Sequence, residues 1–151
     1  MKQLLVQLNQ FDQVSDSKNQ QPHNHITTQL NIIRTHLEDK MNSIVMGLRT
    51  YEYMGFVASI EQNYVLTSKA LKGIKTCTPH TLPDNSLLIG GVEAYRNCIN
   101  LMDELTIVRC ETKYLKGAQK LIIPKKFTKY LTFTVNDSIS VELWKSTDFQ
   151  S

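Results

Sequence analysis

Ser86-Leu87-Leu88-Ile89-Gly90-Gly91-Val92-Glu93-Ala94-Tyr95 is the stretch that decides the fold. Ser86 to Ile89 reads as a short apolar strand. The paired glycines stop it, and residues 92–99 follow as a helix. A strand that runs through Gly-Gly into a helix lets its backbone approach a ligand closely, because no Cβ stands in the way. The first amides of a helix are unpaired and carry partial positive charge, which suits phosphate oxygens. Taken alone, Gly-Gly after a strand is more often just a tight turn.

Two further stretches follow the same plan. Ser43-Ile44-Val45-Met46 is an apolar strand that enters Gly47-Leu48-Arg49-Thr50, a helical turn over 49–54, and Gly55 as its stop. Tyr64-Val65-Leu66-Thr67 is a strand that enters Thr67-Ser68-Lys69, read as a third turn between strand and helix. In open α/β sheets, ligands sit outside the carboxyl ends of the strands. Arg49, Thr67, Ser68 and Lys69 would add side-chain donors there.

The flanking sequence completes the plan. Residues 4–8 are β-like, and the polar run 9–24 reads as a mobile loop too polar to enter the core. Leu30, Ile33 and Leu37 recur at helical spacing with Ile32 beside them, giving an amphipathic helix over 27–38 with Thr27 or Thr28 as its cap. Short strands are expected at 74–77 and 105–110. At the end, Leu131-Thr132-Phe133-Thr134-Val135 and Ile139-Ser140-Val141-Glu142-Leu143-Trp144 alternate on either side of Asn136-Asp137-Ser138, a strong hairpin signal. Strand–helix alternation implies parallel crossovers, and the hairpin adds antiparallel strands, so the sheet should be mixed. Neither repeats nor low-complexity linkers interrupt the chain, and residues 1–151 are expected to form a single domain.

In order, Ile44-Val45-Met46-Gly47-Leu48-Arg49-Thr50-Tyr51-Glu52, Val65-Leu66-Thr67-Ser68, Leu88-Ile89-Gly90-Gly91-Val92-Glu93-Ala94-Tyr95 and Met102-Asp103-Glu104-Leu105 resemble the dihydrofolate reductase superfamily over nearly the whole chain. The resemblance implies an α/β, three-layer fold: a mostly parallel mixed sheet, an antiparallel C-terminal hairpin and flanking helices, with a cis Gly90–Gly91 peptide. It implies an NADPH-dependent oxidoreductase (NADH not excluded) serving tetrahydrofolate biosynthesis and one-carbon metabolism. The cofactor contacts it implies are Gly47, Leu48, Arg49, Thr50, Thr67, Ser68, and Ile89 and Gly90 through Val92, Glu93, Ala94 and Tyr95, with Lys69 as a further donor. Val6, Gln7 and Ser15 would flank the nicotinamide, and Tyr95 would reach it from the Gly-Gly helix.

The substrate side departs from the family. Family members place an Asp or Glu near the start of the first helix to hold the pterin and promote its protonation. Matching the helix's apolar face puts Gln29 there, and a gap-free match from Pro22 puts Thr28 there. The supporting threonine corresponds to Val108, and the arginine that binds the folate carboxylate falls at Glu61, which repels an anion. Arginine is usual at Leu48, where it helps hold the 2′-phosphate, and Arg49 or Lys69 would have to replace it. Leu30, Ile33, Tyr51 and Met54 can line a substrate pocket beside Val108, although an apolar stripe is more often plain core. The segment 76–85 is short and reads as lacking a peripheral helix. A non-catalytic binding or structural protein, and a reductase resembling the riboflavin-pathway enzyme, are the competing readings.

Composition narrows the partners. With 41% hydrophobic and 21% charged residues the chain is globular rather than disordered. The net charge of +3 is scattered, with one knot at Lys125, Lys126 and Lys129, so nucleic acid is not an expected partner. The cysteines Cys77, Cys98 and Cys110 form no C-x-x-C pair and read as buried thiols in a reducing compartment, with no metal site. His23 and His25 read as exposed loop residues. No stretch reaches the ~18 apolar residues of a membrane span, and the first residues lack a signal-peptide pattern. The expectation is a cytoplasmic monomer or homodimer acting on a small-molecule substrate, without membrane contact.

Overall fold

The computed structural model describes residues 1–14, 33, 35–37, 39–55 and 62–148, with Met54 described for its backbone alone. Alternation of apolar side chains along each strand lets both faces of one sheet be covered, because successive Cβ atoms point to opposite sides. In β1 (Lys2–Asn9), Leu4, Val6 and Leu8 enter one apolar layer while Leu5 enters the other. β2 (Ser43–Gly47) divides in the same way, with Val45 on the first side and Ile44 and Met46 on the second. β3 (Gln62–Leu66), β4 (Thr76–Cys77), β5 (Ser86–Leu88), β6 (Glu104–Cys110), β7 (Phe127–Asn136) and β8 (Ile139–Ser146) follow.

The strands form one eight-stranded sheet in the order β4-β3-β2-β5-β1-β6-β8-β7. Pairings from β4 through β6 are parallel, and β8 runs antiparallel to both β6 and β7. Helix α1 (Leu48–Met54) follows β2 directly, and helix α2 (Val92–Cys98) follows β5 after the glycine pair. Ala94, Tyr95 and Cys98 of α2 pack into the first layer. Tyr51 of α1 packs against the second, together with Ile33 and Leu37, whose backbone is helical. Helices therefore lie on both faces of a mixed, mostly parallel sheet.

Two regions of the sequence reading need correction. Thr67-Ser68-Lys69 opens no helix: bends and turns lead from β3 to β4, which holds only Thr76 and Cys77. The start of the polar run 9–24 is not loose, since Asn9, Gln13 and Val14 are buried. A 3-10 turn at Pro79–Thr81 is the only helical element between β4 and β5, as the shortness of that segment suggests. The rest of the polar run, most of the 27–38 helix, and Ser15, Thr28, Gln29, Leu30 and Glu61 lie outside the described residues.

Candidate cofactor site

β3, β2 and β5 are neighbours and parallel, with Gly47 in register with Leu66 and Val45 with Leu88. The turns that follow them therefore leave the same edge of the sheet side by side. Two of these turns touch. The amide of Gly47 donates to the carbonyl of Gly90 at 2.7 Å. A Cβ on Gly47 would lie 3.5 Å from Gly90 O and Gly91 N and 3.6 Å from the Ala94 Cβ.

Gly90–Gly91 is a cis peptide, and Gly90 has φ +143, a region that side chains rarely tolerate. Thr50 closes one side of the pair: its Oγ1 is 3.4 Å from where a Gly90 Cβ would sit and 3.3 Å from a Gly91 Cβ. Tyr95 closes another. Its hydroxyl, 3.6 Å from the same Gly90 position, donates to the Leu5 carbonyl at 2.7 Å and ties α2 to β1. Gly90 is thus buried and Gly47 and Gly91 half-buried, with Thr50 and Tyr95 as the side-chain walls around them.

The other expected residues distribute around this surface. Val6, Ala94 and Tyr95 are buried in the first apolar layer. Gln7, Leu48, Thr67, Ile89 and Val92 are half-buried, while Arg49, Ser68, Lys69 and Glu93 are exposed. Arg49 and Lys69 make no ion pair among the described residues. Thr67 Oγ1 accepts from the Lys69 amide at 3.1 Å, which shapes the third turn. Glu93 is the acidic residue in the first turn of α2 and works against an anion at that point.

On the opposite face, Val108 is fully buried among Leu5, Met46, Cys110, Ile139 and Val141, with Ile33 packed against the same cluster. Two of the expected pocket residues therefore share one apolar layer. The buried residues of that layer present carbon and sulfur, and Val108 offers no hydroxyl there.

A polar brace beside the site was not legible in the sequence. Arg109 on β6 donates Nε and Nη2 to the two oxygens of Glu142 on β8, at 3.3 and 3.0 Å. Its Nη1 donates to Asp12 and, at 3.0 Å, to the Asn9 carbonyl. Burial alone would raise the Glu142 carboxyl. The Arg109 hydrogen bonds and charge, the Trp144 indole N–H and Lys129 outweigh it and hold the group below the usual carboxylate range. Gln13, with no exposed surface, donates to Leu115 O at 2.7 Å and accepts from the Asn9 side chain and the Leu115 amide. These bonds pin residues 9–14 against the segment after β6, one strand away from the glycine turns. The signal available beforehand was only a polar stretch holding Asn9, Gln10, Asp12 and Gln13, and that pattern usually denotes solvent-exposed loop.

No family model and no curated protein matches the sequence. Solved structures do match. A dihydrofolate reductase from Enterococcus faecalis, complexed with NADP(H) and RAB-propyl, aligns with a TM-score of 0.68 at 16% identity. The alignment covers 98% of this chain and 97% of that one. The strand order, the strand directions and this end-to-end superposition together give the chain a dihydrofolate-reductase-like fold.

Proposed function

We propose that this chain is an NAD(P)H-dependent reductase of the dihydrofolate reductase type, with residues 1–151 acting as one domain on a small heterocyclic substrate. The observation that carries this reading is the contact between the Gly47 turn and the cis Gly90–Gly91 turn, walled by Thr50 and Tyr95. A cradle that a Cβ would fill at three positions suits a pyrophosphate lying against backbone, so the residues present fit the cofactor. The solved neighbour with NADP(H) bound supports the same reading.

Gly47, Thr50, Gly90 and Gly91 would hold the phosphates, and Arg49, Thr67, Ser68 and Lys69 the adenosine end. Val6, Gln7, Ser15 and Tyr95 would border the ring. When bound, a reduced nicotinamide supplies hydride to a C=N or C=O carbon. The chain's own part is orientation and exclusion of water. Tyr95, fixed through its hydroxyl to Leu5, keeps α2 and β1 at constant spacing around the ring position. Gln29 or Thr28 would hydrogen-bond the substrate in place of a carboxylate. A neutral group lacks the charge-assisted bond and its help in proton transfer, so dihydrofolate turnover should be about 10²–10⁴-fold below that of a carboxylate-bearing enzyme. Leu48 in place of arginine leaves the choice of NADPH over NADH to Arg49 and Lys69.

Thermal melting with NADPH, NADH, dihydrofolate and methotrexate tests the reading. Ligand at about 100 times its dissociation constant adds about 2.7 kcal/mol, an upward shift of several degrees. Absence of any shift with either dinucleotide rejects the reductase reading. One observation favours a non-catalytic scaffold: the apolar surroundings of Val108. On that reading neither dinucleotide shifts the melt. A reductase resembling the riboflavin-pathway enzyme would bind dinucleotide but not methotrexate.

A further inference from the structure

β7 is the last strand on its side of the sheet, so one of its edges has no neighbouring strand among the described residues. Thr128 through Thr134 are exposed, with Tyr130 and Leu131 each at 48% and Phe133 at 46%. Soluble proteins usually guard such an edge with charge, proline or bulges. β7 has irregularities between Lys129 and Leu131 and between Thr134 and Asn136, but residues 131–134 pair regularly with β8. From Tyr130 to Asn136 the strand carries neither charge nor proline. Leu131 and Phe133 stand opposite Leu143 and Val141, and so share their face. Val141 and Leu143 belong to the second apolar layer, which therefore continues onto β7 and ends there half-covered.

The sequence of the edge indicates what covers it. Its middle, Leu131-Thr132-Phe133-Thr134-Val135, is self-complementary about Phe133. In an antiparallel pair centred there, Thr132 meets Thr134 and Leu131 meets Val135 of the second copy. Apolar residues face apolar ones and threonines face threonines. Lys129, beyond this span, is held within its own chain, 3.8 Å from Glu142 and over the Trp144 ring. A slip of one residue sets Phe133 against threonine and loses every match, because neighbouring residues point to opposite faces. We propose that β7 is a homodimer interface, in which two copies pair antiparallel about a two-fold axis through Phe133 and join their eight-stranded sheets. Such an isologous contact closes on itself and covers the β7 edge of both copies.

Sedimentation of the full chain across the micromolar range should give the mass of two chains, falling to one on dilution. Phe133→Lys sets two ammonium groups against each other at the axis and should weaken association about tenfold or more, with an unchanged far-ultraviolet circular dichroism spectrum. Phe133→Cys is the second test. Directly opposite Cα atoms in an antiparallel pair lie about 4.5–5.5 Å apart, within reach of a disulfide. Oxidised glutathione should therefore take two electrons from the two introduced thiols and yield a covalent dimer. Thr128→Cys should not cross-link, since its two copies would lie ~30 Å apart along the strands. Cys77, Cys98 and Cys110 are buried and do not compete. A one-chain mass at every concentration, or a dimer that Phe133→Lys leaves intact, overturns the proposal.

Discussion

The Gly47 amide donates to the Gly90 carbonyl at 2.7 Å, joining two turns that are 43 residues apart in sequence (90 − 47) into one surface. Neither turn forms a site alone. β2 and β5 are adjacent and parallel, so their exits leave the same end of the sheet side by side, where this hydrogen bond joins them.

The two glycines should respond differently to alanine. Gly90→Ala forces a side chain into φ +143 beside Thr50 and should cost about 1–3 kcal/mol in urea unfolding. Gly47 has φ −67 and only ordinary 3.5 Å contacts at its Cβ position. Gly47→Ala should therefore cost no more than about 1 kcal/mol, mostly as a poorer helix cap. If the cradle holds phosphates, this variant should still lose most of the thermal shift given by NADPH.

Arg109→Met removes the bidentate partner of a carboxylate that is 10% exposed and leaves it, among the described residues, with Lys129 at 3.8 Å and the Trp144 indole. The expected loss is about 3 kcal/mol, because a buried charge stripped of its partner retains its desolvation cost. Arg109→Met combined with Glu142→Leu should recover much of that loss. A double-mutant cycle by chemical denaturation measures the coupling.

Acid stability follows from the same pair. Glu142 has an ordinary value of 4.5 and a lower one when folded, so below pH 4.5 the unfolded chain takes up the proton first. The contribution of ionised Glu142 is complete above that pH and is lost as pH falls through the folded value. The melting temperature of the wild type should drop on acidification below pH 4.5. Glu142→Gln should start lower at neutral pH and follow a flatter acid profile.

The thiols should be inert in the native protein. Burial pushes Cys77, Cys98 and Cys110 up from 9.0 to about 11, with Cys98 adding to the effect at Cys77. Thiolate is the reactive form, so a colorimetric thiol reagent at pH 8 should label none of the three until denaturant is added. At high pH the sign is the reverse of the Glu142 case. The unfolded thiols ionise near 9.0 and the folded ones near 11, so stability declines as pH rises through that interval.

Local pattern carried the elements well. The exit of β5 into Gly90–Gly91, the short α1 closed by Gly55, and the hairpin around Asp137 all depend on neighbours within a few residues, where period and turn chemistry are direct signals. The turn after β3 misled, because Thr-Ser-Lys satisfies the pattern of a helix start without requiring one. Of the candidate site, the glycine surface and Tyr95 were legible as types, but their contact with Thr50 and Leu5 was not.

By itself, the order of residues determined most of the strands, the two glycine turns and the closing hairpin, that the sheet is mixed, and that Val108 brings no hydroxyl to the second layer. Tertiary structure alone decided that Asn9 and Gln13 are buried, that Arg109 bridges Asp12 and Glu142, and that the three turns line one edge. The physical reason is range. Helical and strand periods are written in neighbouring side chains, whereas a buried amide or ion pair is stable only when residues from distant strands supply its partners, and no local pattern records which strands those will be.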